Sequence, residues 1–445
     1  MIMLYESRCL RAVAGLFAGM CLLVSCKPQV SLTVVDPGHF HAAMVLREDL
    51  PGVDRTVRVC APDGEGLDAW TASVERFNSR TDSPTRWSVE RVVTLAPAAS
   101  SREVVVLSGD NQLMALVLTK NMPQPIAMRV CHINKLKEIE GDDDIFNRSD
   151  AGATIWGILQ QYLAGKKRLF FSADGALNRI AIEYLQYNGR PLSEQLEVYR
   201  LSSTKELCYQ REGGKPTKAA LFGDINYNDE ATKSKDTQRS LASRRGSGDA
   251  GSFADLSNTL REVDSIKAVL EGKDVKNAEL FRDTKASKSA FMSLTDSKVN
   301  ILHIATHGMY RDEIKSTDAE SMHNSMLALA GANLDDNSLV TAADIATMNL
   351  RHCDLAVLSA CETGLGKLGG DGVFGLQRGF KNAGVHTLLM SLKKVYDDST
   401  ADLMISFYQY LMSGASKREA LVKAQQSIRN KGFNDPKYWA TFILL

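Results

Sequence analysis

Apolar residues along this chain follow two rhythms. Short continuous runs of strand length recur at Val30–Val35, Val57–Cys60, Glu103–Leu107, Lys167–Ser172, Ala219–Gly223, Val299–Thr306, Leu355–Ala360, His386–Ser391 and Trp439–Leu445. Between them, His39–Glu48, Phe253–Leu270, Gly375–Ala383, Ser399–Met412 and Lys417–Arg429 carry helical spacing. In the second of these, Leu256, Leu260, Val263, Ile266 and Leu270 would share one helix face. The runs at Val299–Thr306 and Leu355–Ala360 are apolar nearly throughout, as in strands covered on both faces. Strands alternating with helices predict an α/β sandwich with a mainly parallel sheet. No repeat with a period of about 20–50 residues is visible, so a solenoid is excluded.

The pattern breaks at two places. Residues 226–252 are rich in Lys, Arg, Asp and Ser and nearly lack large apolar side chains. They cannot bury enough to offset their ordering entropy and are expected to form a mobile loop. At the N-terminus, Arg8 and Arg11 precede an apolar stretch from Ala12 to Val24, too short to span a bilayer. It ends in Leu23-Val24-Ser25-Cys26, which reads as a bacterial lipobox. Cys26 would then be the lipidated first residue of a membrane-anchored lipoprotein, with residues 1–26 as its signal peptide. If this signal is a fusion artefact, the remainder is cytoplasmic.

Composition narrows the function. The 445 residues include 53 Lys+Arg and 53 Asp+Glu, and 44% are hydrophobic, as in a folded and mostly soluble protein. A net charge of zero offers no field to gather nucleic acid, so no nucleic-acid partner is expected. Eight Cys in so long a chain form no disulfide scaffold. No metal cluster is expected, and Gly369-Gly370-Asp371-Gly372 lacks the Lys-Ser/Thr of a phosphate loop. No cofactor is expected.

Two strand ends carry reactive groups. Val299–Thr306 is followed by His307-Gly308, and Leu355–Ala360 by Cys361-Glu362-Thr363-Gly364. Ligands of open parallel sheets bind beyond the carboxyl ends of strands, so adjacent strands would bring imidazole and thiol together. A nearby His lowers a thiol's pKa and can protonate a leaving amine. The amides of Gly308 and Cys361 could face a developing oxyanion. His307 and Cys361 lie about 50 positions apart, close to the His-to-Cys separation in caspases. His303, His352 and Cys353 read as core residues instead.

His303-Ile-Ala-Thr-His-Gly308, Leu358-Ser-Ala-Cys-Glu-Thr-Gly364 and Gly370-Asp-Gly-Val-Phe-Gly-Leu-Gln-Arg-Gly-Phe380 resemble CHAT domains, which are caspase-like. Gly384, Ser391-Leu392, Asp397, Tyr438-Trp439-Ala440 and the upstream Ser172–Asn178 and Ile180–Leu185 extend the likeness over about 104–445. The resemblance implies a caspase-like αβα sandwich and a cysteine endopeptidase acting on protein or peptide substrates. His307 would be the base and Cys361 the nucleophile. Relatives often prefer a basic residue before the scissile bond. Asp397 is the first candidate for the pocket carboxylate, followed by Glu362 and Asp371. An activating protein partner is also implied. The chain departs from the pattern at Lys393, which replaces the Trp of Ser-Leu-Trp, and no tetratricopeptide pattern precedes the domain.

Residues 31–95 resemble something else. Leu32-Thr-Val-Val-Asp-Pro-Gly-His-Phe-His-Ala-Ala43, Val59-Cys-Ala-Pro-Asp-Gly64, Phe77-Asn-Ser-Arg80 and Pro84-Thr-Arg-Trp87 are similar to the start of Gfo/Idh/MocA-type oxidoreductases. The stretch lacks Gly-x-Gly-x-x-Gly and implies a small βαβ, Rossmann-like fragment. The expected organisation is a signal peptide at 1–26, this fragment at 27–100, an accessory, pseudo-protease-like part at 104–215, and a catalytic part at 216–445. A catalytically silent scaffold is the alternative function, with an NAD(P)-dependent oxidoreductase behind it.

Overall fold

The computed structural model describes residues 2–4, 30–35, 43, 46–50, 53–61, 63–81, 83–92, 103–107, 112–120, 122, 125–142, 144–208, 215–230, 252–311, 318–361, 363–369 and 372–445. They form two compact units, Met1–Gly141 with Ala153–Phe171 and Asp142–Gly152 with Ser172–Leu445. The expected accessory part, 104–215, is therefore divided between them. Cys26 and most of the helix expected at His39–Glu48 lie outside the described residues.

The main elements of the first unit are β1 (Ile2–Leu4), β2 (Val30–Val35), β3 (Val53–Cys60), α1 (Glu65–Asn78), β4 (Ser88–Arg91), β5 (Glu103–Leu107), β6 (Gln112–Leu118), β7 (Ile126–His132), α2 (Ile133–Glu140) and β8 (Arg168–Ser172). One sheet has the order β4-β3-β2-β5 with every pair parallel. α1 contributes Trp70 and Val74 to a core with Leu32, Val34, Leu46, Val57, Val59 and Trp87. Asn78 fastens the chain after the helix. Its Oδ1 accepts from the Thr85 hydroxyl and the Trp87 amide, and its Nδ2 donates to the Trp87 carbonyl. β5 departs from the expected boundary at 100, since it pairs with β2 from Ser31↔Glu103 to Val35↔Leu107. β1 pairs parallel with β6 and antiparallel with β8, and β6 pairs antiparallel with β7.

The second unit is built on β9 (Lys218–Ile225), α3 (Asn258–Glu271), β10 (Asn277–Asp283), β11 (Ile301–Ala305), β12 (Gly308–Tyr310), β13 (Ser325–Ala328), β14 (Leu339–Thr341), α4 (Ala342–Ala346), β15 (Leu355–Ser359), β16 (Gly366–Gly369), β17 (Gly372–Gly375), α5 (Leu376–Asn382), β18 (Thr387–Ser391), α6 (Asp397–Met412), α7 (Lys417–Asn430) and β19 (Phe442–Leu444). Its six-stranded sheet has the order β10-β9-β11-β15-β18-β19. All neighbours are parallel except β18 and β19. Every residue of β11 and β15 is buried, so these central strands are covered on both faces. Helix α6 packs against both α3 and α7. This is a layered α/β fold with a mainly parallel sheet, as the alternating runs predict.

Four local details differ from the sequence reading. β10 escapes it because Asn-Ala-Glu-Leu-Phe-Arg-Asp has the mixed polarity of an edge strand. Helix α3 begins at Asn258 rather than Phe253, and Leu260 is exposed. Tyr227, inside the stretch expected to be a mobile loop, is buried, while residues 231–251 lie outside the described ones. His352 is exposed rather than part of the core, whereas Cys353 is buried and burial pushes its thiol up to about 12.

Candidate active site

β11 and β15 are adjacent, with Ala305 opposite Ser359. His307 and Cys361 each stand two residues beyond that pair, at the carboxyl ends of neighbouring strands. Thr306 closes the ladder by donating its amide to the Ser359 carbonyl at 3.2 Å. The backbone then draws the two motifs together. A Cβ placed on Gly308 would lie 2.4 Å from the Cys361 carbonyl oxygen and 2.9 Å from Thr363 Cγ2. Only glycine permits this approach.

The imidazole is held through one of its ring nitrogens. His307 Nε2 lies 2.7 Å from the carbonyl oxygen of Ala254. A carbonyl can only accept, so Nε2 carries the proton and, in the neutral ring, Nδ1 carries the lone pair. The ring also sits against Phe253 and Tyr227, with centroids 5.4 and 5.2 Å away. Tyr227 donates to the Thr306 hydroxyl at 3.0 Å, and Thr306 donates in turn to the Ala328 carbonyl. Burial raises the Tyr227 phenol to about 12, so it stays a neutral donor. The stretch before α3, held at Phe253 by the side chain of Asn333, thus supplies the imidazole's partner. Ala254 and Tyr227 were missed in sequence because one acts through its backbone and the other stands in a polar segment.

The sulfur is half-buried and not in a disulfide. Val395 donates its amide to Cys361 Sγ at 3.5 Å, and the Val395 carbonyl lies 3.8 Å from the same sulfur. The segment bearing Val395 is fixed from β18 onward. Ser391 donates its hydroxyl to the Ala360 carbonyl at 2.6 Å and its amide to the Thr363 hydroxyl at 3.1 Å. The Ser391 carbonyl accepts from the Gly364 amide at 2.7 Å. Lys393, the departure from Ser-Leu-Trp, donates to the Asp142 carbonyl at 3.0 Å.

Of the three candidate pocket carboxylates, Glu362 and Asp371 lie outside the described residues. Asp397 opens α6, and its Oδ2 accepts from the backbone and side-chain nitrogens of Asn258 at 3.2 and 3.0 Å. It thereby satisfies the first turn of α3 from a neighbouring helix. It remains close enough to the site to act on Tyr227 electrostatically, as does Asp255. His303 is fully buried, as expected for a core residue. Its Nε2 lies 3.0 Å from Glu262, and the Tyr408 hydroxyl lies 3.4 Å from its Nδ1.

A thiol and an imidazole thus stand just past the ends of adjacent parallel strands in a layered α/β fold. The CHAT domain matches residues 150–445, and the chain belongs to that family. Tetratricopeptide repeat protein 28 of Homo sapiens is 33% identical over 108 residues, which are 24% of this chain and 4% of that protein. Its Mus musculus counterpart is 32% identical over 108 residues. The chain thus spans about 4% of the length of these relatives. Among solved structures, the Arg-specific cysteine proteinase gingipain R shares 9% identity, covering 95% of this chain and 78% of its own, with a TM-score of 0.42. A complex of the pro- and mature domains of a Porphyromonas gingivalis gingipain gives 10% identity, coverage of 69% and 73%, and a TM-score of 0.40. A candidate oxidoreductase from Parabacteroides merdae is 36% identical over 16% of each chain, with a TM-score of 0.15.

Proposed function

We propose that this protein is a cysteine endopeptidase. The observation that carries the reading is the contact of Gly308 with the Cys361 carbonyl, beside an imidazole whose Nε2 is committed to Ala254. In this mechanism Cys361 Sγ attacks a peptide carbonyl carbon while His307 takes the thiol proton. The amides of Gly308 and Cys361 stabilise the oxyanion, each donor contributing about 3 kcal/mol. His307 then protonates the leaving amine, and water hydrolyses the thioester. No metal or redox partner enters this sequence.

A basic residue before the scissile bond is the proposed preference, with Asp397 as its first carboxylate partner. Its Oδ2 is shared with Asn258, so a bound cation would compete with or join that contact. Labelling with an arginyl chloromethyl ketone peptide tests the whole assignment. Wild-type protein is expected to be modified at Cys361, and Cys361→Ala and His307→Ala are expected to lose labelling. A wild type that stays unlabelled, and cleaves nothing in a broad peptide panel, supports the silent-scaffold alternative or a peptidase awaiting its partner. Lipid attachment at Cys26 is proposed from the lipobox alone. Incorporation of labelled palmitate that persists in Cys26→Ser would overturn it. Among the described residues, no helix is long and apolar enough to cross a membrane.

A further inference from the structure

We infer that the segment Lys393–Asp397 is a strap whose Val395 amide is a further backbone donor of the site, setting the charge state of the Cys361 sulfur, with Lys393 as the pin that registers it. The inference rests on the proposed peptidase reading for its purpose, but its observations are separate. Two polar groups of one residue approach the sulfur from the strap, the amide nitrogen at 3.5 Å and the carbonyl oxygen at 3.8 Å. They act in opposite directions. A thiol donates its proton to the carbonyl, while a thiolate accepts from the amide. Hydrogen bonds to an ionised group are roughly twice as strong as neutral ones, and here the amide is also the nearer group. The balance therefore favours the thiolate, the form that reacts.

This balance depends on where the strap lies, and the structure fixes the strap at several points. At its start, Ser391 binds residues on both sides of Cys361, and Leu392 donates its amide to the Thr441 carbonyl at 2.9 Å. At its end, Asp397 is tied to Asn258. Between these, Lys393 reaches the carbonyl of Asp142, a residue 251 positions away in sequence. Asp142 is itself engaged by Arg148. This ammonium-to-carbonyl bond holds the strap two residues before Val395, where a small backbone shift would exchange the amide for the carbonyl at the sulfur. Lys393 is thus a positioning residue, acting through Val395. The other charged or titratable groups on the elements that build the site include His307, Tyr227, Asp255, Lys394, Tyr396, Asp397, Asp398 and Glu362, the last outside the described residues. All of them are retained in the variants below, so they contribute equally to each profile.

The test is the rate of iodoacetamide alkylation of Cys361 in the full-length protein as a function of pH. It is read at that cysteine by peptide mass spectrometry, with Cys60 as the internal reference. Alkylation follows the thiolate fraction, so its midpoint reports the charge state without requiring peptidase activity. Lys393→Met is expected to raise the midpoint by about one pH unit, slowing alkylation about tenfold below it. Val395→Pro, which lacks the amide proton, is expected to raise it at least as far, and Lys393→Arg is expected to restore the wild-type profile. Unchanged midpoints in Lys393→Met and Val395→Pro, with buried Cys353 still protected, would overturn the inference. If Val395→Pro exposes Cys353, the proline variant has unfolded and Lys393→Met decides alone. A Lys393→Arg profile that matches Lys393→Met removes the pin. Shifted midpoints in a protein that neither takes the ketone label nor cleaves a peptide would uphold the strap while leaving the peptidase reading without support, whereas cleavage with unshifted midpoints would do the reverse.

Discussion

Each unit contains a sheet built on parallel strands, and among the described residues the second unit sets an imidazole and a thiol just past the ends of two adjacent parallel strands. In the first unit, β4 closes the sheet as an edge whose four residues are all exposed. In the second, β11 and β15 lie in the middle of six strands with all ten of their residues buried. Burial on both faces makes a register slip costly, because every slipped side chain would lose its packing. The residues just past such a pair are placed almost as firmly as the strands themselves. An exposed edge offers no comparable anchor. A strand end can serve chemistry when the strand behind it cannot move.

This comparison can be attacked from both sides. The largest effect is expected for His307→Ala, which should lower peptide turnover by roughly 10³-fold or more while thermal unfolding stays near wild type. Normal turnover in that variant would defeat the dyad. Leu302→Ala, in the middle of β11, should destabilise the protein by about 2–5 kcal/mol in denaturant unfolding. Val89→Ala on exposed β4 should change it by no more than about 0.5 kcal/mol. Equal costs for the two would remove the contrast between central and edge strands. Gly308→Ala should cut turnover about 100-fold, because its Cβ would push the Cys361 backbone away from an oxyanion-binding position. The fold should survive, since the strain can be relieved in the segment after β11.

The smallest expected effect concerns acid stability. Burial alone would raise the Asp344 carboxyl, but the Lys288 ammonium and the amide and hydroxyl of Thr341 more than offset this and hold it below its usual range. A depressed folded value contributes stability that is fully present above the unfolded value of about 3.9 and is lost as pH falls through the folded value. Melting curves across that acid range should therefore slope less in Asp344→Asn than in wild type. An unchanged slope would mean that the α4 capping box carries no linked proton.

Several parts of this arrangement were legible in the chain itself. The runs at 299–306 and 355–360 announced buried strands, and His307-Gly308 and Cys361 stood at their ends in contiguous motifs. Other parts left no trace. The Ala254 carbonyl and Val395 amide act through the backbone, which looks alike at every residue. Tyr227 is one aromatic within a polar stretch, and composition averaged it away. Helix α3 starts at Asn258 because Asp397 satisfies its first turn from 139 positions away, a partner that local helical spacing cannot register. β5 belongs with β2 for the same reason.

The sequence by itself determined the layered α/β class, the central strands and the identity of the thiol and imidazole, because each is written in neighbouring residues as a period or a motif. Only the tertiary structure decided which ring nitrogen of His307 is committed, which backbone groups meet the sulfur, and that Lys393 reaches Asp142. Those are contacts between segments far apart in the chain, and packing rather than local preference selects them.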